Sequence, residues 1–303
     1  MLEALGASPR GGALYLATDT QLARDVHLHA LPREQSAGAA LRFAREARLA
    51  ATIAHPNAQQ LYDVDVQDGR PLLFLEPLVG PTLLETIQDR GRLDVEEAVD
   101  LVMLAAQALK AAQRKDLLHG ELCPSRIVLE PDGELKVVDL GLVRALHAYL
   151  GESAIPREAP AFLAPEQHGG EAAEARSDVY ALGAILYYML AGAPPFVGPT
   201  ITQTIARSLS APLSPIGDLP VRFAEPVNAL LARLLARPAE VRHADVEEVI
   251  DDLRRARRGD ARLLQPRGMQ IDPATQRWAL FWLGIVLGAC VSASFFALFH
   301  WLP

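Results

Sequence analysis

Residues 119–141 carry the side chains with the greatest chemical capacity in this chain. Glu121 and Asp139 are carboxylates, which can accept a proton or bind a divalent cation. Cys123 carries a thiol, and Arg126 carries a guanidinium that stays charged at any working pH. Together these groups could handle a proton, a metal ion or an anion, so the next question is which elements position them.

The run HGELCPSRIVLEPDGELKVVDLG over these residues resembles the catalytic core of a protein kinase. In that family an H-R-D-x-K-x-x-N loop, a short hairpin and D-F-G place a base, a cation and two metal ligands around one phosphate. Here Gly120 stands at the arginine, Glu121 at the base aspartate, Cys123 at the lysine and Arg126 at the asparagine. The resemblance implies a kinase frame in which most of the catalytic side chains have been exchanged.

Arg126 is the exchange with the largest consequence for catalysis. A guanidinium repels a divalent ion from the position that it occupies. Two interpretations stay open, since the cation either stands in for the missing metal and lysine or forms a surface salt bridge. Glu121 is one methylene longer than aspartate and could accept a hydroxyl proton only if the loop shifted by about an ångström. Cys123 is predicted to be a small buried residue, and Asp139 is the Mg²⁺ ligand that the resemblance retains.

The family's structural positions are better kept. Residues 164–166 match the A-P-E motif, and SDVYALGAILYYMLAGAPPF from residue 177 matches the long central helix of the large lobe. By resemblance, Asp178 holds the backbone of the 119–121 loop, although a simple charge at a helix N-terminus is also compatible. The resemblance implies a buried ion pair between Arg242 and the A-P-E glutamate. The structural residues that it implies are His119, Glu166, Asp178 and Arg242.

The glycine-rich loop that would cover a nucleotide is altered. It reads LGASPRGGALY, with Gly6 and Gly12 in place, Pro9 near the middle and one residue more than the family pattern. Glycine lets backbone N–H groups approach phosphates, whereas proline removes a donor. An ordinary hairpin turn at the two adjacent glycines is the competing interpretation.

The other nucleotide positions are also changed. His29 stands where the family's V-A-I-K lysine contacts the phosphates, and it is shorter and mostly neutral near pH 7. Glu46, the helix partner of that lysine, is present, and it is a relic, a surface residue or a partner for a protonated His29. By resemblance, backbone groups of Glu76 and Leu78 would meet an adenine. The expectation is that ATP binds weakly or not at all, with Mg²⁺ held through Asp139 alone.

The segment between D-L-G and A-P-E contains few phosphate acceptors. Tyr149 and Ser153 are the candidates, and Ala159 stands where the family usually has threonine. Because Gly120 replaces the arginine that would bind a phosphorylated loop, we expect activation by loop phosphorylation to be unavailable.

The elements that would position these residues follow from sequence periodicity. ALYLATD and ARDVHLHAL pair as hairpin strands around a turn near Thr20, and QLYDVDV and PLLFLEP flank a turn at residues 68–69. Residues 38–53 show a helical pattern that places Leu41, Ala44, Leu49 and Ile53 on one face. The later pattern is mainly helical. With the resemblance, which covers about residues 2 to 255, this predicts an α+β bilobal fold like that of bacterial serine/threonine protein kinases.

Composition limits the function classes. The chain has 303 residues, 22% of them charged, and a net charge of −8, which argues against nucleic-acid binding as its main role. Cys123 and Cys290 are too few for a disulfide framework or a zinc site.

The last residues predict a membrane anchor. Residues 278–303 contain no Asp, Glu, Lys or Arg, and Trp278, Trp282 and Trp301 lie at the two ends. A buried core helix is the alternative. Arginines before the run predict, by the positive-inside rule, that the kinase-like part is cytoplasmic and that the chain is a single-pass C-terminal anchor of the inner or plasma membrane. No signal peptide is evident. Gly284 and Gly288 could let two such helices approach as a homodimer.

These observations predict four segments: a small lobe at 1–76, a larger lobe at 77–258, a basic linker at 259–277 and a transmembrane helix at 278–302. The predicted function is that of a membrane-anchored pseudokinase that binds signalling proteins as a regulator or scaffold. The alternative is a divergent but active ATP-dependent serine/threonine kinase that uses Glu121 as base and Asp139 for the metal, with His29 or Arg126 supplying positive charge.

Overall fold

The amino-terminal part of the chain forms one antiparallel sheet of five strands. The structure is a computed structural model, and it describes residues 2–7, 11–33, 37–151 and 159–260. The spatial order of the strands is β1-β2-β3-β5-β4, so the two predicted hairpins are joined through β3 and β5. The strands are β1 Leu2–Ala7, β2 Ala13–Asp19, β3 Arg24–Ala30, β4 Leu61–Gln67 and β5 Arg70–Leu75.

Helix α1, Ala37–Ala50, packs on this sheet. Of the four residues that the pattern places on one face, Ala44 and Ile53 are buried, whereas Leu41 and Leu49 are 62% and 52% exposed. The buried face is formed by Ala40, Phe43, Ala44, Ala47 and Ala50. Alanines let the helix backbone approach the sheet closely, and a large leucine would not fit between them. The prediction of a helix is confirmed, although the helix ends at Ala50, and only part of the predicted face lies in the core.

The rest of the described chain is mainly helical. Helices α3, α6, α8 and α9 enclose the larger hydrophobic core. Gly183 in α6 allows a close approach, because a Cβ at this position would lie 2.6 Å from the Cβ of Leu234 in α8. The helices of this lobe are α2 Leu83–Arg90, α3 Val95–Gln113, α5 Pro165–His168, α6 Ala175–Ala191, α7 Ile201–Ser210, α8 Val221–Leu234 and α9 Val246–Arg257.

A short hairpin of the larger lobe and a helix that packs on the small lobe lie on either side of Asp139 in the chain. Strands β6, Ile127–Leu129, and β7, Leu135–Val137, form the hairpin that precedes Asp139. Helix α4, Val143–Leu150, follows Asp139 and joins the hydrophobic core of the small lobe. Two hydrophobic cores, one sheet-based and one helical, confirm the predicted bilobal α+β architecture.

The predicted membrane anchor lies outside the described residues. All of the described residues belong to one compact unit, Met1–Leu264. The linker beyond residue 260, the span at 278–302 with Gly284 and Gly288, and Pro9 and Ser153 are not among them. Within the described ranges, no helix has both the length and the apolar character that a bilayer crossing needs.

Candidate functional site

The loop that carries Glu121 is held by a buried carboxylate from α6. Asp178 Oδ2 accepts a hydrogen bond from the His119 amide at 3.0 Å, and Oδ1 accepts one from the Gly120 amide at 2.7 Å. Gly120 has φ of +80°, a conformation that favours glycine. Gln167 of α5 donates its Nε2 to the Gly120 carbonyl at 2.5 Å. The loop backbone is therefore fixed from two helices, and Asp178 occupies the position that the resemblance implies.

His119 is a neutral structural residue. Its Nε2 donates to the Val138 carbonyl at 3.2 Å, and its Nδ1 accepts from the Glu121 amide at 3.2 Å, a pair of bonds that assigns one neutral tautomer. Burial, followed by the positive charge of Arg126, lowers the pKa of His119 to about 3. Burial also raises the pKa of Asp178 to about 6, although its two backbone hydrogen bonds act in the opposite direction.

Arg126, Glu121 and Asp139 come together as a buried group, which we call the Arg126 cluster. Arg126 Nη1 lies 3.4 Å from Glu121 Oε2, and its Nε lies 3.8 Å from Asp139 Oδ2. Arg126 is only 4% exposed. Of the two interpretations drawn from the sequence, the surface salt bridge is wrong, because the guanidinium is buried between two carboxylates.

Backbone geometry places the members of this cluster. A single helical turn, Pro124–Arg126, precedes β6, and the Arg126 carbonyl accepts from the Val138 amide at 3.0 Å. Asp139 adopts φ of +60°, which is uncommon for a residue with a Cβ. Cys123 is buried, as predicted, with its Sγ 3.5 Å from Ser125 Oγ.

The cluster fits a divalent cation poorly. The family implies Mg²⁺ beside the D-F-G aspartate, but here a guanidinium nitrogen lies 3.8 Å from that carboxylate. A metal ion bound to that carboxylate would lie close to the fixed positive charge of Arg126, which would repel it. In the described part of the chain, no group of three or more His, Cys, Asp or Glu side chains is arranged to hold a metal.

Helix α4 reaches the same cluster from the other side. His147 Nε2 lies 3.1 Å from Glu121 Oε1. Arg144 of α4 pairs with Glu46 of α1, Nε to Oε2, at 3.8 Å. Among the described residues, the ion-pair partner of Glu46 is therefore Arg144 and not His29, in agreement with the surface interpretation of Glu46. Sequence analysis missed His147 and Arg144.

His29 points to the glycine-rich hairpin. Its side chain is fully buried, and its Nε2 lies 3.0 Å from the Gly11 carbonyl oxygen. Gly12 is required by packing, because a Cβ there would lie 2.1 Å from the Ala30 carbonyl oxygen. Gly6 has φ of +118° and open space around the position of a Cβ. Gly11 and Gly12 thus have contacts within the small lobe, and residues 8–10 of the loop lie outside the described residues.

His27 is a second histidine that sequence analysis did not single out. It lies two residues before His29, on the same face of β3, and pairs in register with Leu75 of β5. Burial lowers the pKa of His27, and the negative charge of Glu130, beyond β6, acts against this shift. Glu130 belongs to the larger lobe, so a negative charge of that lobe acts on the side chain of His27 in the small lobe. The alternating histidines of the V-H-L-H strand could have indicated that His27 lies on the same face as His29.

The connection between the lobes is braced at Glu76. Its carboxylate accepts from Lys136 Nζ at 2.9 Å and from the Gln60 amide at 3.0 Å. Its amide donates to the Gln60 carbonyl, and its carbonyl accepts from Gln59 Nε2, both at 2.9 Å. The Glu76 backbone groups predicted to meet an adenine are thus hydrogen bonded within the chain, whereas no hydrogen bond is described for the backbone of Leu78.

Arg242 and Glu166 form the ion pair that the resemblance implies, and we call it the Arg242 clip. Two parallel hydrogen bonds of 2.7 and 2.9 Å join the guanidinium to the carboxylate. Arg242 also donates to the carbonyls of Ala236, Arg176 and Arg237. Burial alone would raise the pKa of Glu166, but the hydrogen bonds and charge of Arg242 lower it overall. The clip ties the A-P-E segment to the region before α9.

A cavity of about 560 Å³ lies beside the Arg126 cluster. Its lining includes Leu49 of α1, Leu117 and Glu121 of the catalytic-loop region, and His147 of α4. Leu163 and Gln167 complete another wall. The cavity therefore separates part of α4 from the larger lobe.

Comparison with known proteins assigns the family. The family described as the protein kinase domain matches residues 10–251. Serine/threonine-protein kinase PknB of Mycolicibacterium smegmatis is 31% identical over 258 residues, which cover 82% of this chain and 41% of that protein. PknB of Mycobacterium leprae is 29% identical over 254 residues, which cover 81% and 41% of the two chains.

A probable serine/threonine-protein kinase of Clostridium acetobutylicum is 28% identical over 247 residues, 79% of this chain and 37% of that protein. The chain thus aligns with about two fifths of the length of these relatives. The family match includes the catalytic-loop region, the D-L-G segment and the Arg242 clip. The chain belongs to the protein kinase family, and its relatives include bacterial serine/threonine kinases.

Proposed function

We propose that this member of the protein kinase family is catalytically impaired and acts through protein contacts as a regulator or scaffold. One observation carries the proposal: the buried guanidinium of Arg126 lies between Glu121 and Asp139, where phosphoryl transfer would require a metal ion. A fixed organic cation can neutralise the two carboxylates, but it cannot bridge them to phosphate oxygens by coordination.

The exchanges weaken the same reaction at several points. The lysine positions of the family are occupied by His29 and Cys123, both of them buried. Loss of one preorganised charge commonly costs about 2–4 kcal/mol of transition-state stabilisation, and such losses are not additive. We expect ordinary phosphoryl transfer to fall far below the rate of a signalling kinase.

Nucleotide binding is expected to be weak or absent. His29 is turned to the Gly11 carbonyl, and the backbone groups of Glu76 are bonded to Gln59 and Gln60. An incoming adenine would have to share or replace these hydrogen bonds, at a cost of about 1 kcal/mol for each one lost.

Phosphotransfer by the full chain tests the proposal. The chain would be incubated with labelled ATP and Mg²⁺ or Mn²⁺, with a generic basic protein as acceptor, beside the matched variant Asp139→Ala. We expect the wild type and the variant to give the same background. Robust Mg²⁺-dependent transfer that Asp139→Ala abolishes would sink the proposal.

Thermal stabilisation by ATP separates nucleotide binding from turnover. Ligand that binds only the folded chain raises the Tm. We expect either no shift or a small shift of equal size in EDTA and in Mg²⁺, because Arg126 supplies the positive charge in both. A large shift that requires Mg²⁺ would contradict the proposed role of Arg126.

A divergent active serine/threonine kinase is the second candidate. Glu121 and Asp139 retain carboxylates in one buried cluster, with a proton-accepting group and a possible Mg²⁺ ligand on either side of Arg126. In that case Glu121→Gln and Asp139→Ala would each abolish transfer. Transfer that survives Glu121→Gln would exclude Glu121 as the base.

The proposed location is the cytoplasmic face of the inner or plasma membrane, with residues 278–302 as a single-pass anchor. The support is the uncharged run from residue 278 and the arginines before it. The expected partners are signalling proteins at that face, with a homodimer through Gly284 and Gly288. Membrane fractionation of the full chain and of a chain without residues 278–303 tests the anchor. Sedimentation of both forms with the membrane after an alkaline carbonate wash would exclude this anchor.

A further inference from the structure

We propose that the carboxyl-terminal end of α9 binds the phosphate groups of anionic lipids, so that this face of the larger lobe lies against a lipid surface. The binding site, which we call the α9 anion site, is lined by Arg254, Arg257 and Arg258 together with Asp100 and Met103 of α3. The inference rests on the proposed membrane location for the source of the phosphate, and it requires no phosphoryl transfer.

Charge is divided along α9. The first turn carries Glu247 and Glu248, and the last turn carries Arg254, Arg255 and Arg257. Basic residues near a helix C-terminus interact favourably with the helix dipole, which accounts for some of this division. The dipole does not require several guanidinium groups to surround one common space. That arrangement is what the structure shows at this end of the helix.

The common space is a recess of about 250 Å³ between the end of α9 and α3. Three guanidinium groups line it and face a single carboxylate, that of Asp100, so the recess is electropositive at any pH at which arginine is charged. A guanidinium holds its N–H donors in one plane and matches pairs of phosphate oxygens. The chemistry of the lining therefore favours a phosphate group.

The existing ion pairs orient the α9 anion site without closing it. Arg257 donates Nη2 to Asp100 Oδ2 at 2.8 Å, and its Nε lies 2.6 Å from Oδ1, so the guanidinium is fixed and Nη1 lies outside this pair. Arg254 pairs with Asp251 at 3.1 Å, but both side chains are more than half exposed, and such pairs contribute little. Arg258 is exposed and has no ion-pair partner among the described residues. An anion can therefore bind without breaking a buried pair.

An exposed apolar residue lies next to the site and favours a lipid as the source of the phosphate. Val221 begins α8 and is 94% exposed. The chain after α9 lies against the same turn, because a Cβ at Gly259 would lie 2.9 Å from the Arg222 carbonyl oxygen. An apolar side chain beside arginines is typical of a surface that contacts both headgroups and acyl chains. A soluble phosphate compound would use the arginines alone.

The charge and order of the chain also favour a lipid over a nucleic acid. The net charge of −8 disfavours contact with a long polyanion. The sequence continues from the α9 anion site through Arg262, Arg267 and Arg277 to the uncharged run at 278–303. Basic segments close to a membrane are attracted to anionic lipids.

Arginine labelling of the full chain tests the site. The chain is kept in micelles of a non-ionic detergent, and phosphatidylglycerol or phosphatidylcholine is added in steps. Phenylglyoxal modifies accessible guanidinium groups, and mass spectrometry reads the label at Arg257. The double variant Arg254→Gln and Arg258→Gln removes the other two cations. Its matched control is Arg92→Gln and Arg114→Gln, which removes two exposed arginines outside the site, one of them ion paired.

We expect phosphatidylglycerol to lower the labelling of Arg257 several-fold and phosphatidylcholine to leave it unchanged. The amount of phosphatidylglycerol that gives half protection should rise about tenfold in the double variant at α9, because each arginine near an anionic surface strengthens the attraction. It should stay unchanged in the control. Val221→Gln should raise it about threefold, with Leu22→Gln as the control at another exposed apolar residue.

Equal protection by the two lipids, or equal effects of the two double variants, would overturn the proposal. Equal protection by inorganic phosphate at the same phosphate concentration would assign the site to a soluble anion, and equal protection by a DNA duplex would assign it to a nucleic acid. An unchanged value in Val221→Gln would exclude the contact of α8 with lipid. The micelle assay does not depend on insertion of residues 278–302, so its failure and the failure of the anchor in membrane fractionation are separate results.

Discussion

The Arg242 clip and the Arg126 cluster use the same chemical groups in two different ways. In the clip, two hydrogen bonds of 2.7 and 2.9 Å join guanidinium to carboxylate. In the cluster, the guanidinium lies 3.4 and 3.8 Å from two carboxylates. The first geometry is that of a bidentate hydrogen-bonded pair, whereas in the second one cation lies between two carboxylates. The family's structural pair is intact, whereas Arg126 occupies the position that the family gives to a metal-binding asparagine.

The largest effect is expected from breaking the clip. Arg242→Ala leaves Glu166 partly buried without its cation, which costs about 3–5 kcal/mol of unfolding free energy. Urea denaturation followed by circular dichroism measures this loss. The control is Arg254→Ala, which removes an exposed pair with Asp251 and should cost less than about 1 kcal/mol. Equal losses in the two variants would show that the clip is no stronger than a surface pair.

The 119–121 loop, which Asp178 holds, should make the free energy of unfolding depend on pH. His119 has a folded pKa of about 3 and an ordinary value of 6.5, so the unfolded chain takes up its proton first and stability falls as the pH drops below about 6.5. Asp178 has a folded pKa of about 6 and an ordinary value of 3.8, so its protonation stabilises the folded chain over pH 6 to 4. Between pH 7 and pH 5, His119 therefore lowers the free energy of unfolding by about 2 kcal/mol. Asp178 raises it by about 1 kcal/mol over the same range.

Urea denaturation at pH 7 and pH 5 should therefore show a net loss of about 1 kcal/mol in the wild type, and a loss of about 2 kcal/mol in Asp178→Asn, which lacks the compensating carboxyl group. The difference between the two chains cancels contributions from groups that they share. A smaller loss in Asp178→Asn than in the wild type would reverse the predicted sign for Asp178.

A moderate effect is expected where α4 meets the small lobe, because one hydrogen bond between uncharged groups should stabilise the fold less than the charged pair of the clip. Tyr149→Phe removes the hydroxyl that donates to Pro32 and keeps the ring beside Phe43, at a cost of about 1 kcal/mol. The measurement is the urea midpoint, with Tyr62→Phe as the control at a less buried tyrosine. An unchanged urea midpoint in Tyr149→Phe would show that this hydrogen bond does not stabilise the packing of α4 on the small lobe.

The smallest effect is expected from returning the metal-binding amide to the cluster. Arg126→Asn replaces the guanidinium by an oxygen ligand and removes the positive charge that keeps Mg²⁺ from the carboxylates of Glu121 and Asp139. At a Mg²⁺ concentration near the dissociation constant, binding adds about 0.4 kcal/mol, or about 1 °C in Tm. Differential scanning calorimetry with Mg²⁺ and with EDTA measures it. The wild type should show no such difference, and an equal shift in the wild type would contradict the role given to Arg126.

Sequence patterns predicted the frame better than the contacts of the centre. Short motifs mark Asp178, Glu166 and Arg242, and each of these residues has one structural role. Their contacts could therefore be predicted from the sequence. The exposure of Leu41 and Leu49 in α1 could not be predicted, because leucine has the larger apolar side chain, whereas the alanines allow close approach to the sheet. Periodicity favours a helix but does not measure the space available to it.

The contacts of α4 were missed for a different reason. Val143, Leu146 and Leu150 show a helical period, so the helix itself had a signal in the sequence. The approach of His147 to Glu121 had none, because it depends on how a helix after Asp139 turns back toward the loop before it. Long-range placement of this kind is set by packing between lobes, as is the bond between Lys136 and Glu76.

The bracing of Glu76 has a consequence for the kinetics of any ligand that enters between the lobes. Its carboxylate joins Lys136 and Gln60, and its carbonyl is held by Gln59, so bending the chain there requires several bonds to break together. Ligand entry that needs the lobes to separate would wait for this rare opening, which lowers the association rate constant. Departure would wait for the same event. A small molecule between the lobes would then exchange slowly even at modest affinity, and its residence time would report the stiffness of the hinge.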